Sequence, residues 1–401
     1  MPLPSRLQVR LTRRTGAAAL AAVLVVAALA GVALSRSRTG TAPGQPAAAA
    51  TTDPGTDTVP GATASTAAAT TAPPTTGATT TARRRAAGAP TAGRAAAAPR
   101  CPARPAGAVS RTTGTVTERV NDAHPPDDHT FDLRGMTSIA YGSSTVYALT
   151  FGISGKDSTA GGLCILGGTV RSAVSRARTW DDLNGDVNGD ALSFGTRSGV
   201  GIVDGLRADN TFDGITTHGD PPAQTVVRDV WLTGIRDDCI ENDSHPKTLT
   251  VRDSLFDGCF TGISERPGSG DGWSRPSGAG GVTTLDHVLL RLAPQAYGTG
   301  CRYERACTDG RGHHVFFKWS GAATPSVVIR DSVLRMDRYS IDGPTPMRFP
   351  PGTRAERSVL VWLGPGPYPQ PLPPGMTLTR DVRVWERARA GWLCRHRQGP
   401  C

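Results

Sequence analysis

The sequence predicts a parallel β-helix, on three observations. Asp190-Ala191-Leu192, Asp213-Gly214-Ile215, Asp238-Cys239-Ile240 and Thr261-Gly262-Ile263 recur at steps of 23, 25 and 23 residues. A period in the low twenties, made of small, β-branched and turn residues, is that of a solenoid coil. A second register runs beside it. Val227-Arg228-Asp229-Val230-Trp231-Leu232 is echoed by Val251-Arg252-Asp253-Ser254-Leu255-Phe256 and Ile329-Arg330-Asp331-Ser332-Val333-Leu334, with looser copies at Thr284–Leu289 and Thr379–Val382. Each is a short apolar strand with one polar break, flanked by turn residues. Finally, no long helical period follows residue 101, so helices should be scarce. An antiparallel sandwich or propeller is the alternative, but it leaves the recurring Asp-x-Ile unexplained.

Residues 1–38 read as an export signal or a signal anchor. Arg6, Arg10, Arg13 and Arg14 precede an apolar run from Ala17 to Leu34, long for a signal peptide and just long enough to span a membrane. Ala28-Leu29-Ala30 offers a cleavage site, and Arg13-Arg14 permits twin-arginine export. The expected location is therefore outside the cytoplasm, secreted or anchored, with membrane contact only through this segment. Residues 39–100 are Thr, Ala, Pro and Gly with almost no large apolar residue, the composition of a disordered stalk. The coil domain spans 101–401 and is expected to be monomeric.

The net charge of +10 disappears on partition. Residues 1–100 hold 11 Arg, no Lys and 2 Asp, leaving 33 basic against 32 acidic of the totals of 44 and 34. A domain so balanced lacks the electrostatic footprint of a nucleic-acid binder. All eight cysteines follow the stalk, and an even number in an exported domain reads as disulfides. Cys301–Cys307 and Cys394–Cys401 would close short loops, Cys239–Cys259 would tie neighbouring coils, and Cys101–Cys164 is the remainder. No Cys-x-x-Cys pair supports zinc.

Later intervals lengthen: 33 residues from Asp253 to Asp286, then 45 to Asp331. Inserted loops or a skipped coil account for this. On stacked rungs, Asp190, Asp213 and Asp238 should lie about 4.8 Å apart. Aspartates are also common at coil turns, where they tolerate unusual dihedrals. Asp190, Asp229, Asp253 and Asp331 are assigned to that role. Asp237 with Asp238 and Glu241 exceeds what one turn needs and is assigned to function.

The segments Asn210-Thr211-Phe212-Asp213-Gly214-Ile215, Asp237-Asp238-Cys239-Ile240 and Cys259-Phe260-Thr261-Gly262-Ile263 resemble consecutive signatures of polygalacturonase-type glycoside hydrolases. That resemblance implies a right-handed parallel β-helix of the pectin-lyase type. It puts Asp213, Asp237 and Asp238 in the roles of general acid and water-activating base, and it too implies the Cys239–Cys259 bond. It covers about Asn210 to Glu265. This chain departs by inserting Phe212, by carrying Ile263 where the family has its histidine, and by lacking a clean Arg-x-Lys.

The predicted catalytic residues are Asp213, Asp237, Asp238, Glu265, Arg266 and Lys318, with Glu241, Asp243 and Trp319 contacting substrate. Lysine occurs only at 156, 247 and 318, which singles out Lys318 between aromatic residues. Two chemistries fit an acidic polysaccharide. Hydrolysis needs one carboxylic acid and one carboxylate. In β-elimination, Ca²⁺ on Asp213, Asp238 and Glu241 would acidify a proton that Arg266 or Lys318 removes. The missing histidine favours elimination and the Asp-Asp-Cys signature favours hydrolysis. A non-catalytic glycan-binding module is the rival.

Weaker signals remain. Asp182-Leu183-Asn184-Gly185-Asp186-Val187-Asn188-Gly189-Asp190 resembles a calcium loop but lacks its glycine and closing glutamate, and reads rather as an Asn/Asp/Gly turn. His313-His314 reads as turn residues or acid/base groups near Lys318. Gly364–Gly375 reads as an exposed loop. Arg387 to Arg397 reads as a solvated cap pinned by Cys394–Cys401.

Overall fold

The computed structural model describes residues 100–101, 109–139, 148–154, 157–158, 161–196, 198–219, 224–243, 248–266, 280–298, 311–319 and 324–401. The predicted leader and stalk up to residue 99, and the Cys301–Cys307 pair, lie outside these residues. Among the described residues, no helix is long and apolar enough to cross a membrane.

Successive strands stack in parallel into three long sheets of nine, ten and seven strands. The chain visits each sheet once per turn, so this is a parallel β-helix. In the first sheet Val203, Val227, Val251, Leu285 and Ile329 pair in register and are fully buried. In the second, Leu232, Phe256, Leu290, Leu334 and Leu360 do the same. In the third, Leu192, Ile215, Ile240, Ile263 and Phe317 form the inner column. Each side chain of that size, fully buried, contributes about 1.5–3 kcal/mol.

The long intervals are insertions, not a skipped coil. Thr248–Arg252 pairs directly with Val282–Asp286, and that strand pairs directly with Ser326–Arg330. The corner after the first sheet is left-handed on rung after rung. Gly205, Asp229, Asp253, His287, Asp331 and Arg357 have φ of 88°, 48°, 42°, 58°, 48° and 47°. Asp229, Asp253 and Asp331 thus occupy the turn role assigned to them. Asp tolerates this conformation because its short side chain bonds locally.

Disulfides join Cys239 to Cys259 and Cys394 to Cys401, as the spacing suggested, and Cys101 to Cys164, the pair left as the remainder. Two helices depart from expectation. The segment taken for a calcium-like loop forms helix α1, Trp180–Asp186, capped by Thr179; Asp182 and Asp186 both pair with Arg178 instead of an ion. The arginine-rich end forms helix α2, Val382–Arg395. It is not a solvated cap, because Trp385 and Trp392 bury against Leu255, Leu289 and Val361. Arg389 meets Asp257 at 2.6 Å, and the Trp392 indole donates to the Asp253 carbonyl at 3.1 Å. The Gly364–Gly375 loop is likewise partly packed, with Tyr368 buried and its hydroxyl donating to the Met347 carbonyl.

Candidate functional site

The third sheet carries the acids. Asp190 pairs in register with Asp213, and Asp238 with Thr261. Ile215 pairs with Ile240 two residues on, which aligns Asp213 with Asp238. The row Asp190–Asp213–Asp238–Thr261 therefore climbs four adjacent rungs. In two of the four units the residue after the first is glycine, for a steric reason. A Cβ at Gly214 would collide with the Cys239 carbonyl oxygen and Leu232, and one at Gly262 with the Phe316 carbonyl and Leu290.

Two carboxylate triads overlap on this row. Asp213, Asp237 and Asp238 each bring an oxygen within 4.8 Å of the others, and so do Asp190, Asp213 and Glu241. Asp190, assigned from sequence to a turn, is instead a full member of the cluster, and is only 3% exposed. Asp213 Oδ1 accepts the Asp238 backbone N–H at 2.9 Å, which fixes the next rung's acid. Thr216 donates to Glu241 at 3.1 Å. Asp243 accepts from the Ser264 hydroxyl at 2.6 Å and the Arg266 backbone N–H at 2.8 Å.

Lys318 answers part of this charge. Lys318 Nζ lies 2.6 Å from Asp238 Oδ2, with side-chain exposures of 14% and 2%. Burial alone would lower the Lys318 pKa, but Asp238, Asp237 and Asp243 outweigh it and hold the ammonium well above its usual range. Lys318 is therefore suited to charge clamping. The base role considered for it in elimination is opposed by its own neighbours.

The acids respond in the opposite sense. Desolvation, then the Asp238 charge, pushes Asp237 up to about 8, with Lys318 pulling back. Desolvation, Asp243 and Asp238 raise Glu241 to about 7; it keeps partial solvent contact and shifts less. Asp213 is raised well above the carboxylate range by desolvation and then by Asp237, and Asp190 by desolvation and then Glu241. Like charges in a dry row cannot all ionise. Two buried oxygens, Asp190 Oδ2 and Asp238 Oδ1, have no hydrogen-bond partner. Such atoms together with an all-oxygen donor set fit a hard divalent cation such as Ca²⁺. Asp190, Asp213, Asp238 and Glu241 would hold it.

Lys318 also edges a pocket of about 530 Å³. Arg266, His314, Trp319, Asp342 and Arg348 line it with Lys318. The Arg348 guanidinium stacks over Trp319, 5.4 Å from the ring centre. Arg266 and Trp319 thus sit beside the row as anticipated, in a pocket with more cations than acids.

Glu265 does not join them. It is fully buried, its two oxygens accepting from Asn242 at 3.1 Å and Thr283 at 2.5 Å. It belongs to the interior of the coil, and a polymer outside does not reach it. Strand alternation explains this: Glu265 lies one position past Ser264, the residue in register with Glu241.

Sequence reasoning undervalued Asp190 and His314 and overlooked Asp342. The signal for Asp190 was its spacing from Asp213; the adjacent Asn/Asp/Gly run masked it. No protein-family model matches this sequence, and comparison with curated proteins and with solved structures finds no match either.

Proposed function

We propose that this protein is an exported β-helix enzyme of the pectin-lyase type that hydrolyses an acidic polysaccharide. The observation that carries the reading is the triad Asp213–Asp237–Asp238, within 4.8 Å, with Lys318 in direct ion pair with Asp238. That asymmetry separates an acid from a base. Asp237, raised to about 8, keeps its proton at neutral pH and is the general acid toward the glycosidic oxygen. Asp238, ion-paired with Lys318 through Oδ2, takes the base role toward water through Oδ1, which has no hydrogen-bond partner. Asp213 positions Asp238 through the backbone N–H. The cationic pocket of Arg266, Lys318 and Arg348, with Trp319 as an apolar face, supports a uronate-type substrate. Disulfides support an oxidising, extracytoplasmic setting.

A second reading has its own support. The two orphan oxygens and the excess of acids over Lys318 suit a Ca²⁺-assisted β-elimination, in which the ion acidifies the proton beside the uronate carboxylate. Arg266 is then the base candidate. Product analysis separates the two. Incubation with a panel of uronate polymers should release reducing ends without ultraviolet-absorbing unsaturated sugars, and without need of calcium. Unsaturated, calcium-dependent products would replace hydrolysis by elimination. Binding without either product would mean a glycan-binding module.

A further inference from the structure

The acid row and the cationic pocket stand in line along the coil. Asp238 pairs in register with Thr261, and the strand Thr261–Glu265 pairs with Phe317–Trp319, which carries Lys318. Lys318 reaches back to Asp238 and also lines the pocket. A sugar chain that touches both the acids and the pocket therefore runs along the coil axis. In that direction the third sheet stops. Among the described residues Phe317–Trp319 is its last strand, whereas the first sheet goes on to Arg354–Glu356 and the second to Ser358–Trp362 and Met376–Thr379.

On the next turn, after Ser326–Arg330 and Val333–Met336, the third side is taken by irregular chain with a short 3-10 turn at Thr345–Met347. Thr345, Pro346 and Arg348 of this segment line the pocket. The segment is rooted in the core. Phe349 stacks on Phe316 with ring centres 5.9 Å apart and meets Phe317 at 6.1 Å. Met347 is buried, and its carbonyl accepts the Tyr368 hydroxyl at 2.6 Å. The Pro344 carbonyl accepts from the Gln370 amide at 3.1 Å, and the Arg348 carbonyl from the Trp319 indole at 3.4 Å. The Arg348 guanidinium lies over Trp319, and no acid among the described residues pairs with it.

We infer that this protein works from a chain end: the pocket is a terminal subsite, walled off by residues 344–349, and Arg348 on Trp319 receives the acid group of the end sugar. The inference rests on the polysaccharide reading for its role in turnover, while recognition of an end is a property of the pocket alone. A chain lying over the row cannot continue past a wall held by the core, so its end fills the pocket. Two rungs, together about 10 Å, separate the Asp238 strand from the Lys318 strand. That is the length of a disaccharide, so each cut frees a mono- or disaccharide. A volume of about 530 Å³ encloses a small ligand and does not guide a polymer through. A guanidinium held on an aromatic face presents its fork to a planar carboxylate, and the ring beside it covers apolar sugar surface.

The test has two arms on the full protein. Calorimetry of Asp237→Asn with defined-length oligomers of galacturonate, glucuronate and mannuronate counts protein bound per chain without turnover. End recognition predicts a count of one at every length. A count rising with length, or no binding to any of the three series, overturns it. Arg348→Ala should weaken binding of the short oligomers about tenfold or more; if that variant misfolds by circular dichroism, Arg348→Gln takes its place, and unchanged affinity removes Arg348 from the subsite. In turnover, the wild type should release mono- and disaccharides from the first minutes while the viscosity of the polymer barely falls. An early fall in viscosity with fragments of mixed length overturns the inference and leaves hydrolysis standing. A count of one per chain with no cleavage by the wild type does the reverse: end recognition stands and the hydrolytic reading fails.

Discussion

Two rows of aspartates climb the same coil and meet opposite fates. At the corner after the first sheet, Asp229 pairs with Arg207 and His396 at 2.8 and 2.7 Å, Asp253 with His396 at 3.3 Å, and Asp331 with Arg357 at 2.6 Å. His396 holds Asp253, and Arg357 holds Asp331, below the usual carboxylate range; burial would raise Asp229, but His396 and Arg207 bring it down. In the third sheet, Lys318 pairs with Asp238, while Asp190 and Asp213 are driven up by desolvation and by neighbouring acids. Identical chemistry is spent on backbone turns in one place and left under electrostatic stress in the other. A row left with more acids than cations is the arrangement on which the proposed function rests.

The contrast can be broken at several strengths. Asp237→Asn should lower turnover by about 10²–10⁴-fold while leaving the melting temperature unchanged or raised, since a neutral amide relieves like-charge crowding. Steady-state kinetics beside calorimetry checks both. Replacing Cys239 and Cys259 together by Ala removes the tie between the Asp238 rung and its neighbour. The expected loss is about 2–5 kcal/mol in denaturant titration.

Smaller effects come from pH. Folded Asp237 and Glu241 titrate above their unfolded values of 3.8 and 4.5, at about 8 and about 7. The folded state then binds the extra protons, so their contribution to stability declines as pH rises from about 4 to about 8. Calcium should oppose that decline if the second reading of the site holds, raising the melting temperature more at pH 8 than at pH 5. At the other row, His396 is shifted from 6.5 to about 9: burial alone would lower it, but Asp229 and Asp253 outweigh that. Its contribution is complete below 6.5 and lost as the pH climbs toward 9. His396→Gln should flatten only that upper arm of the melting curve against pH and leave turnover unchanged.

How much of this was legible in advance follows the range of each interaction. The rung spacing was readable because 23 to 25 residues separate Asp190, Asp213, Asp238 and Thr261, and each unit is local. The turn aspartates were readable too, since the left-handed corner is a one-residue preference repeated on successive rungs. Glu265 was misplaced because a one-position change of strand parity reverses the face. Helix α2 was hidden by its arginines: Trp385 and Trp392, seven apart, are the buried stripe, and their partners Leu255, Leu289 and Val361 are distant in sequence. His314 meets Thr261 across 53 residues that hold two coil strands as well as inserted chain, a length from which no register can be counted.

The claim that the third-sheet row is the working site is tested most directly by comparing Asp238→Asn with Asp253→Asn on a polymer the wild type cleaves. The account predicts that the first abolishes release of reducing ends and the second leaves it near the wild-type rate, with both proteins folded by circular dichroism. Equal activity in the two variants, or loss in the corner variant alone, would contradict it.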